Sequence, residues 1–405
     1  MTIALFTDSY LPTKSGVVTV VVQLREQLMK LGHKVVLVTV EGNEPSEKDP
    51  TIYRARSRAL GRGTDQFVSV PNYHPITKFI RANNVDLIHC HTEFGIAKAG
   101  VHCAKKLNIP CICTTHTMWT DFYKFYLPLG EHISPRIIQK LLNNFYGKFD
   151  SLIGVSTKAR NYFKQPFMLP DQPSVIVPNA IDESKFLQGH FTVEERREFR
   201  KKYGINDDDV MFLFLGRIAE EKRVFELLSI TQKLVEKNSK CKVMFVGNGP
   251  AYEDMLKLAE KEIFEGKIIF TGFIEWSLVH NFYESADVFI TASLSEMHSM
   301  TILEAELSKL PIVVRRDDSY LDSVFDGENG YVCDTDDEMC ERMLELAMND
   351  EKRKQFGERS LEITKDFSIE NHIKRTLFVY NEVLKAYPEK IDDVEVMKRM
   401  KEEIK

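Results

Sequence analysis

The sequence has few of the features that mark membrane-spanning or secreted proteins. No apolar run approaches the roughly 18 residues of a spanning helix, and the run at Val17–Val22 is short and broken by Thr19. The start, MTIALFTDSY, has no basic region and no long apolar core, so we expect no secretory signal. Seven scattered cysteines without a CxxC pair favour a reduced, cytoplasmic protein with buried thiols.

The common nucleotide-binding fingerprints are also missing. GNGP (247–250) is not followed by GK[ST], so it is not a Walker loop, and there is no GxGxxG. Low-complexity tracts and internal repeats are absent as well. The chain of 405 residues, 43% hydrophobic and 28% charged, is long enough for two ordinary domains.

Charge is unevenly distributed along the chain. Residues 1–170 contain 21 basic and 12 acidic side chains, whereas the remainder contains 33 and 48. The asymmetry indicates either an anionic partner for the first half or chance clustering on solvated faces. Composition alone leaves both interpretations open.

Short apolar runs alternate with helical stretches, and the pattern occurs twice. The first series is IALFTD, KVVLVTV, DLIHCH, CICTTH, SLIGVS and SVIVPN; the second is VMFLFLGR, CKVMFVGNG, KIIFTGF, DVFITAS and PIVVRRD. Strands separated by helices predict parallel sheets. We therefore predict an α/β protein with two doubly wound, Rossmann-like domains at 1–182 and 183–369, with the helix at 370–405 packing back on the first.

Ligands of such sheets bind at the carboxyl ends of the strands, where two cations occur in the second half. Arg217 directly follows a buried strand, and Lys222 comes five residues later. An arginine fork and a lysine point charge suit a diphosphate. The alternative is a surface pair balanced by Glu220 and Glu221.

Glycine turns follow two of the predicted strands. Gly247 and Gly249 flank Asn248, and Gly272 precedes Phe273. Glycine lets the backbone approach a ligand closely, but it also simply forms turns.

Gly16 lies where the first helix begins. A helix N-terminus there offers unpaired N–H groups to an anion. An ordinary strand-to-helix turn explains this glycine equally well.

Two glutamates stand eight positions apart across a strand-to-helix junction. Thr301 and Glu304 have the T-x-x-E spacing of a capping box, which gives Glu304 a structural explanation. Glu296 lies in the preceding loop, where a carboxylate can accept hydrogen bonds from vicinal hydroxyls. Two carboxylates for hydroxyls and two cations for phosphates together predict a sugar-nucleotide site.

Three histidines near strand ends suggest either a metal site or a ligand site. His89 and His91 should point to one face of their strand. Because no further ligands occur at zinc spacing, we expect no metal site. His116, at the end of CICTTH, is the better candidate for a ligand contact.

The sequence resembles the retaining glycosyltransferases of family four, which have the GT-B fold of two Rossmann-like domains facing across a cleft. The resemblance covers nearly the whole chain and is carried by E-x7-E at 296–304, GRI with EK at 216–222, and GNGP. It is closest to the bacterial monoglucosyldiacylglycerol synthases, through SYLPTKSGVVTVVVQL, HCHTEFGIAKAG, TTHTMWTDFYKFY and LPIVVRRDD.

The resemblance implies roles for individual residues. Glu296 would hold the hydroxyls of the donor sugar and Glu304 the ribose, Arg217 and Lys222 would hold the diphosphate, and His116 would lie beside the reacting sugar. The catalytic set is thus His116, Glu296, Arg217 and Lys222, and Asp121 is a candidate acceptor-side residue. The remaining donor contacts implied are Gly16, Gly247, Asn248, Gly249, Gly272, Phe273, Met297, His298, Ser299, Met300 and Thr301.

One departure from the family concerns the loop after the first glutamate. Many members have a glycine two or three positions after it, whereas this chain has Met297, His298 and Ser299. The favoured donor sugar is therefore open: UDP-glucose is expected, with UDP-galactose and GDP-mannose as alternatives.

The resemblance implies retention of anomeric configuration with no protein nucleophile. We expect no obligatory metal, because Arg217 and Lys222 can neutralise the leaving diphosphate. We expect no nucleic-acid partner. A non-catalytic nucleotide-sugar binding protein is the alternative from another functional class.

A lipid acceptor, most simply diacylglycerol, follows from the branch resemblance, and basic residues of the first half could contact an anionic membrane. PRIIQKLLNNFYGKF (135–149) is typical of an amphipathic interfacial helix, although such a helix more often packs on its own sheet. We predict a cytoplasmic protein on the inner face of the cell membrane; a soluble sugar, a polyprenyl-linked glycan or a polysaccharide is the alternative acceptor. The membrane-contact candidates are Arg54, Arg56, Arg58, Arg62, Arg136 and Lys140.

Overall fold

The fold consists of two compact units in a computed structural model that describes residues 1–13, 15–41, 49–59, 67–119, 123, 132–183 and 191–404. One unit comprises Met1–Ala180 together with Ile369–Lys405, and the other comprises Ile181–Ser368. Each unit contains a parallel sheet flanked by helices, which confirms the predicted α/β class with two Rossmann-like halves.

The first unit is built on short strands rich in valine, isoleucine and leucine, as expected for a parallel sheet covered on both faces. The strands are β1 (Thr2–Phe6), β2 (Lys34–Val40), β3 (Ile52–Ala55), β4 (Arg58–Ala59), β5 (Phe67–Val68), β6 (Leu87–Cys90), β7 (Cys111–Thr115), β8 (Ser151–Gly154) and β9 (Ser174–Ile176). The main sheet has the order β3-β2-β1-β6-β7-β8-β9 with parallel pairing, while β4 and β5 form a separate antiparallel pair. Because the strand order reverses at β1, the switch point lies between β1 and β6.

The helices of the first unit follow its strands and bury one face each. They are α1 (Gly16–Lys30), α2 (Tyr73–Ala82), α3 (Gly95–Leu107), α4 (Pro135–Tyr146) and α5 (Thr157–Phe163). Ser15 caps α1, since its side chain accepts a hydrogen bond from the backbone of Val18. This cap places the start of α1 directly after the β1 loop.

The second unit repeats the plan with the strand order of a Rossmann sheet. Its strands are β10 (Val210–Leu215), β11 (Cys241–Val246), β12 (Ile268–Gly272), β13 (Val288–Thr291), β14 (Ile312–Arg315) and β15 (Gly330–Cys333). They lie in the order β12-β11-β10-β13-β14-β15, and all pairings are parallel. The switch point of this sheet therefore lies between β10 and β13.

Helices cover both faces of the second sheet. They are α6 (Val193–Lys202), α7 (Val224–Lys237), α8 (Tyr252–Leu258), α9 (Glu260–Phe264), α10 (Trp276–Ser285), α11 (Met300–Leu307), α12 (Asp336–Met348) and α13 (Asp350–Thr364). Two apolar clusters, one on each face, form the core of this unit.

The chain then returns to the first unit through two further helices, α14 (Ile369–Ala386) and α15 (Asp393–Glu403). Val379 and Val383 of α14 and Met400 of α15 are buried in the same cluster as Leu5 of β1. The C-terminal segment is thus part of the core on one face of the first sheet.

Candidate active site

The second unit brings two of the predicted site residues into direct contact at its switch point. Lys222 ends a short 3-10 turn after β10, and Glu296 lies in the loop after β13. The Lys222 ammonium donates a hydrogen bond to Glu296 Oε1 at 2.6 Å, and each side chain is 22% exposed. A cation and a carboxylate therefore meet at the sheet edge where ligands of this fold bind, and both remain accessible.

Arg217 also follows β10, but its contact is the one expected for a surface pair. Its guanidinium lies 3.5 Å from the Glu221 carboxylate, and its side chain is 51% exposed. A half-exposed pair of this kind contributes little to stability. The guanidinium can leave Glu221 for a phosphate at small cost.

The loop that carries Glu296 is held in place by hydrogen bonds to its neighbours. The Ser295 hydroxyl donates to the Glu221 carbonyl at 2.8 Å, and the Tyr320 hydroxyl donates to the Ser293 carbonyl at 2.7 Å. Burial, followed by the nearby Glu296 charge, raises the pKa of Tyr320, so this hydroxyl stays a donor. The carboxylate of Glu296 thus sits on a preorganised loop.

The capping-box interpretation of Glu304 is wrong. Helix α11 begins at Met300 with Ser299 as its N-cap, and no side chain caps it. The Thr301 hydroxyl contacts the Ser299 hydroxyl at 3.1 Å instead of closing a box. Because the capping-box position after Ser299 is Ile302, Glu304 lies two positions too late in the helix to reach the cap. This residue, 8% exposed, is therefore available for another role.

Glu304 accepts a hydrogen bond from the Tyr283 hydroxyl at 2.8 Å. Burial raises the pKa of Glu304 to about 7, and the Tyr283 hydrogen bond partly opposes that rise. The Glu304 carboxyl therefore changes its protonation state near neutral pH. Hydroxyl groups of a ligand would favour its charged form, because they donate to a carboxylate.

The predicted glycines allow close packing of backbone on backbone. A Cβ atom added to Gly247 would lie 1.9 Å from the Gly216 carbonyl oxygen, and one added to Gly249 would lie 2.2 Å from that of Ile218. Gly247 also donates to the Gly272 carbonyl at 3.1 Å. The two predicted glycine turns thus pack closely beside the start of the Arg217–Lys222 loop.

The other donor candidates occupy the same region or the start of α1. Asn248 is exposed, and its side chain accepts from the backbone of Gly249 at 2.6 Å. Phe273 is 76% exposed. Gly16 is exposed in the first unit, with no atom within 4 Å of an added Cβ. Next to Glu296, the side chains of Met297, His298 and Ser299 are buried, whereas Met300 and Thr301 are partly exposed.

His116 follows β7 in the first unit and contacts a second histidine. Its Nε2 atom lies 3.2 Å from Nδ1 of His91. Burial lowers the pKa of His116 to about 3 and the pKa of His91 well below its usual value, so both rings are neutral. The prediction that His89 and His91 share a face is confirmed, since their ring centroids are 4.0 Å apart.

Two of the residues predicted above fall in gaps between the described ranges. Asp121 and Arg62 lie outside the described residues. Within those residues, no group of three or more His, Cys, Asp or Glu side chains is arranged to hold a metal ion.

Helix α4 has two different apolar faces. Ile138, Leu142 and Phe145 are buried in the core of the first unit. Ile137 and Leu141, one turn apart, are 54% and 59% exposed. The helix therefore packs on its own sheet and still presents an apolar pair, which the exposed cations Arg136 and Lys140 flank.

The other predicted membrane-contact residues differ in whether their side chains are exposed. Arg54 donates to the carbonyls of Val40 at 3.1 Å and Leu11 at 3.0 Å, so its guanidinium links the end of β2 to the loop after β1. Arg56 and Arg58 are exposed. In the described part of the chain, no helix is both long enough and apolar enough to cross a bilayer.

Comparison with known proteins identifies the family. The family model "Glycosyltransferase Family 4" matches residues 14–185, and "Glycosyl transferases group 1" matches residues 195–362. The alpha-monoglucosyldiacylglycerol synthase of Acholeplasma laidlawii is 30% identical over 97% of this chain and 100% of its own length. The chain belongs to glycosyltransferase family four.

Further relatives of this glycosyltransferase agree with that assignment. The alpha-monoglucosyldiacylglycerol synthase of Streptococcus pneumoniae is 28% identical over 93% of this chain and 88% of its own length. Among solved structures, a glycosyltransferase of Rickettsia africae has a TM-score of 0.73 at 18% identity, covering 95% of this chain and 98% of that one. Anabaena HepE in complex with UDP has a TM-score of 0.71 at 14% identity, covering 94% and 100%. The expected GT-B fold is confirmed.

Several residues that shape the site of this glycosyltransferase were missed from the sequence. Tyr283 lies 21 positions before its partner Glu304, and Tyr320 lies 27 positions after Ser293, whose carbonyl it binds. His372 and Tyr380 reach the His89–His91 cluster from the C-terminal helix α14. Such partners cannot be recognised from residue type or spacing in the sequence, because they become neighbours only in the folded chain.

Proposed function

We propose that this glycosyltransferase moves glucose from UDP-glucose to diacylglycerol with retention of anomeric configuration. The observation that carries the proposal is the Lys222–Glu296 pair at the switch point of the second sheet. Both relatives described above are named alpha-monoglucosyldiacylglycerol synthases, which supports glucose as the sugar and diacylglycerol as the acceptor. Because UDP-glucose is itself an α-glycoside, an α-linked product requires retention.

The second unit would bind the donor. Lys222 and Arg217 would hold the diphosphate, and Glu296, freed from Lys222, would accept hydrogen bonds from sugar hydroxyls. Glu304 would accept from the ribose hydroxyls, which stabilises its charged form against the burial that raises its pKa. The backbone of Met297–Thr301 at the start of α11 would offer N–H groups to the sugar or the phosphates.

The reaction would proceed on one face of the sugar. The bond from C1 to the diphosphate oxygen breaks as the acceptor oxygen bonds to C1, and the acceptor proton passes to the departing phosphate oxygen. Lys222 and Arg217 would stabilise the charge that grows on that phosphate. Their two positive charges replace those of a divalent ion, so an obligatory metal is not part of the proposal.

Product analysis tests the reaction. We expect glucose transfer from UDP-glucose to diacylglycerol in vesicles, an α-anomeric product by NMR, and no loss of activity in EDTA. UDP-galactose and GDP-mannose test the donor, and soluble or polyprenyl-linked acceptors test the acceptor. Donor binding without transfer to any acceptor would instead support a non-catalytic nucleotide-sugar binding protein.

We further propose that the protein works at the cytoplasmic face of the membrane, docked through α4. The exposed pair Ile137 and Leu141 would enter the interface between Arg136 and Lys140. Phe167, 57% exposed, lies next to α4, because its carbonyl accepts a hydrogen bond from Asn143 of that helix at 3.0 Å. Each basic residue near an anionic surface contributes about 1 kcal/mol.

Replacing both Ile137 and Leu141 with serine should weaken binding to anionic vesicles by roughly 10²-fold or more, since burial of each side chain in the interface contributes about 1.5–3 kcal/mol. Sedimentation with vesicles at low and high salt measures this. The matched control replaces Leu258 and Phe264 of the second unit, which are 60% and 93% exposed, with serine. Equal loss in both double variants, or no vesicle binding by the parent protein, would contradict docking through α4.

A further inference from the structure

A small buried cavity adjoins His116 in the first unit. It has room for about one water molecule, and four histidines line it. His89, His91 and His116 come from the ends of β6 and β7, and His372 comes from α14. The family resemblance implies a role beside the reacting sugar for His116 alone, so the arrangement of the other three histidines requires an explanation.

One of these histidines contacts His116 directly. Nδ1 of His91 lies 3.2 Å from Nε2 of His116, and the ring planes are inclined by only 20°. Burial keeps both rings neutral, because it lowers both pKa values. A single proton therefore lies between the two nitrogens, and one ring must donate while the other accepts.

The surroundings of His91 indicate which ring donates. His91 is 2% exposed, and its Nε2 atom has no hydrogen-bond partner among the described residues. A neutral ring with a proton on Nε2 would bury an N–H without an acceptor, which is rarer in proteins than a buried acceptor without a donor. Because the described residues offer Nε2 of His91 no acceptor, they favour the proton on Nδ1, where it is donated to His116.

Contacts with other histidines and their partners fix the orientation of the His91 ring. The His89 ring lies against it at 4.0 Å between centroids. His89 is itself fixed at both nitrogens, by the hydroxyls of Tyr380 and Thr114 at 2.7 Å each. His372 of α14 donates from Nδ1 to the Pro178 carbonyl at 2.6 Å and closes the cavity. Helix α14 thus supports a packed cluster of histidines in which His91 is hydrogen-bonded to His116.

We propose that His91 is a positioning residue, whose Nδ1–H fixes His116 as the tautomer protonated at Nδ1. His116 then presents an N–H donor to the sugar and not a lone pair, because its Nε2 is occupied. Sugar and phosphate oxygens accept hydrogen bonds from such a donor. The consequence for catalysis rests on the proposed function, whereas the tautomer does not.

Two variants of similar size separate positioning from packing. In H91N the amide occupies the place of Nδ1 and can still bond to His116, whereas in H91Q it occupies the place of Nε2. Both variants lose the ring that packs on His89. We expect H91Q to lower kcat about 10²-fold, with a donor KM within about threefold of the parent value. We expect H91N to retain most of the parent kcat.

Nitrogen NMR of the [15N]histidine-labelled parent protein reads the tautomer directly, with His116 assigned from an H116N sample. We expect His91 and His116 to be protonated at Nδ1, and the His116 signals to change in H91Q more than in H91N. A His116 ring protonated at Nε2, or H91Q as active as H91N, would overturn the proposal. If the parent protein transfers no sugar, the proposed function fails, and the spectrum still decides the role of His91.

Discussion

Replacing Lys222 with alanine should lower kcat on the order of 10²-fold or more while raising the donor KM by much less. Charge accumulates on the diphosphate as the bond to the sugar breaks, so a cation there acts mainly in the transition state. Steady-state kinetics with UDP-glucose and diacylglycerol vesicles measure both constants. Arg217→Ala should change them in the same direction.

The contact with Glu296 requires a control for this prediction. Without Lys222, the Glu296 carboxylate loses the partner that lies 2.6 Å away. The single variant Glu296→Gln and the double variant with Lys222→Ala separate two causes of a lower kcat. One is the lost contact with the diphosphate, and the other is the unpaired Glu296 carboxylate. Lys233→Ala removes a cation from the exposed pair with Asp337 and should leave both constants unchanged. An unchanged kcat with a raised KM after Lys222→Ala would contradict the assignment.

The fold and the placement of Lys222 and Glu296 in one site were accessible from the sequence for the same reason. Short β-branched runs such as KVVLVTV and CKVMFV fix parallel strands, because only strands covered on both faces have so few polar positions. Parallel strands place their carboxyl ends at one edge, so residues following β10 and β13 meet although they are 74 positions apart.

The role of Glu304 was harder to predict, because two local patterns compete in one stretch. T-x-x-E at 301–304 satisfies the capping-box spacing, but the helix begins one residue before Thr301, at Met300. The start of a helix depends on where the preceding loop is anchored, here by Tyr320 and Ser295. A pattern of four residues contains no information about those anchors.

The histidine cluster illustrates a second limit. Periodicity correctly places His89 and His91 on one face, yet their environment depends on Tyr380 of α14, which lies 291 positions after His89. Contacts at such separation follow from the path of the whole chain. A sequence pattern therefore identifies the candidate histidines but not the hydrogen bonds that determine their protonation.

The second large effect concerns the C-terminal segment, which supplies buried apolar side chains to the first unit. Burial of each such side chain contributes about 1.5–3 kcal/mol. Together they contribute on the order of 10 kcal/mol, which matches the whole stability of a typical domain. The residues are Ile373, Val379, Tyr380, Val383, Ile391, Val396 and Met400.

A chain that ends at Ser368 should therefore lose the folded first unit while retaining the second, whose two apolar clusters contain no residue beyond Phe367. Limited proteolysis followed by mass spectrometry should yield a resistant fragment near Ile181–Ser368 and none from residues 1–180. The control is the full-length variant Lys374→Ala, which removes only an exposed ion pair with Glu370. It should resist proteolysis as the parent protein does. If the first unit resists proteolysis in the shortened chain, its core does not require α14 and α15. The proposal that α14 helps to orient His91 would then be contradicted as well.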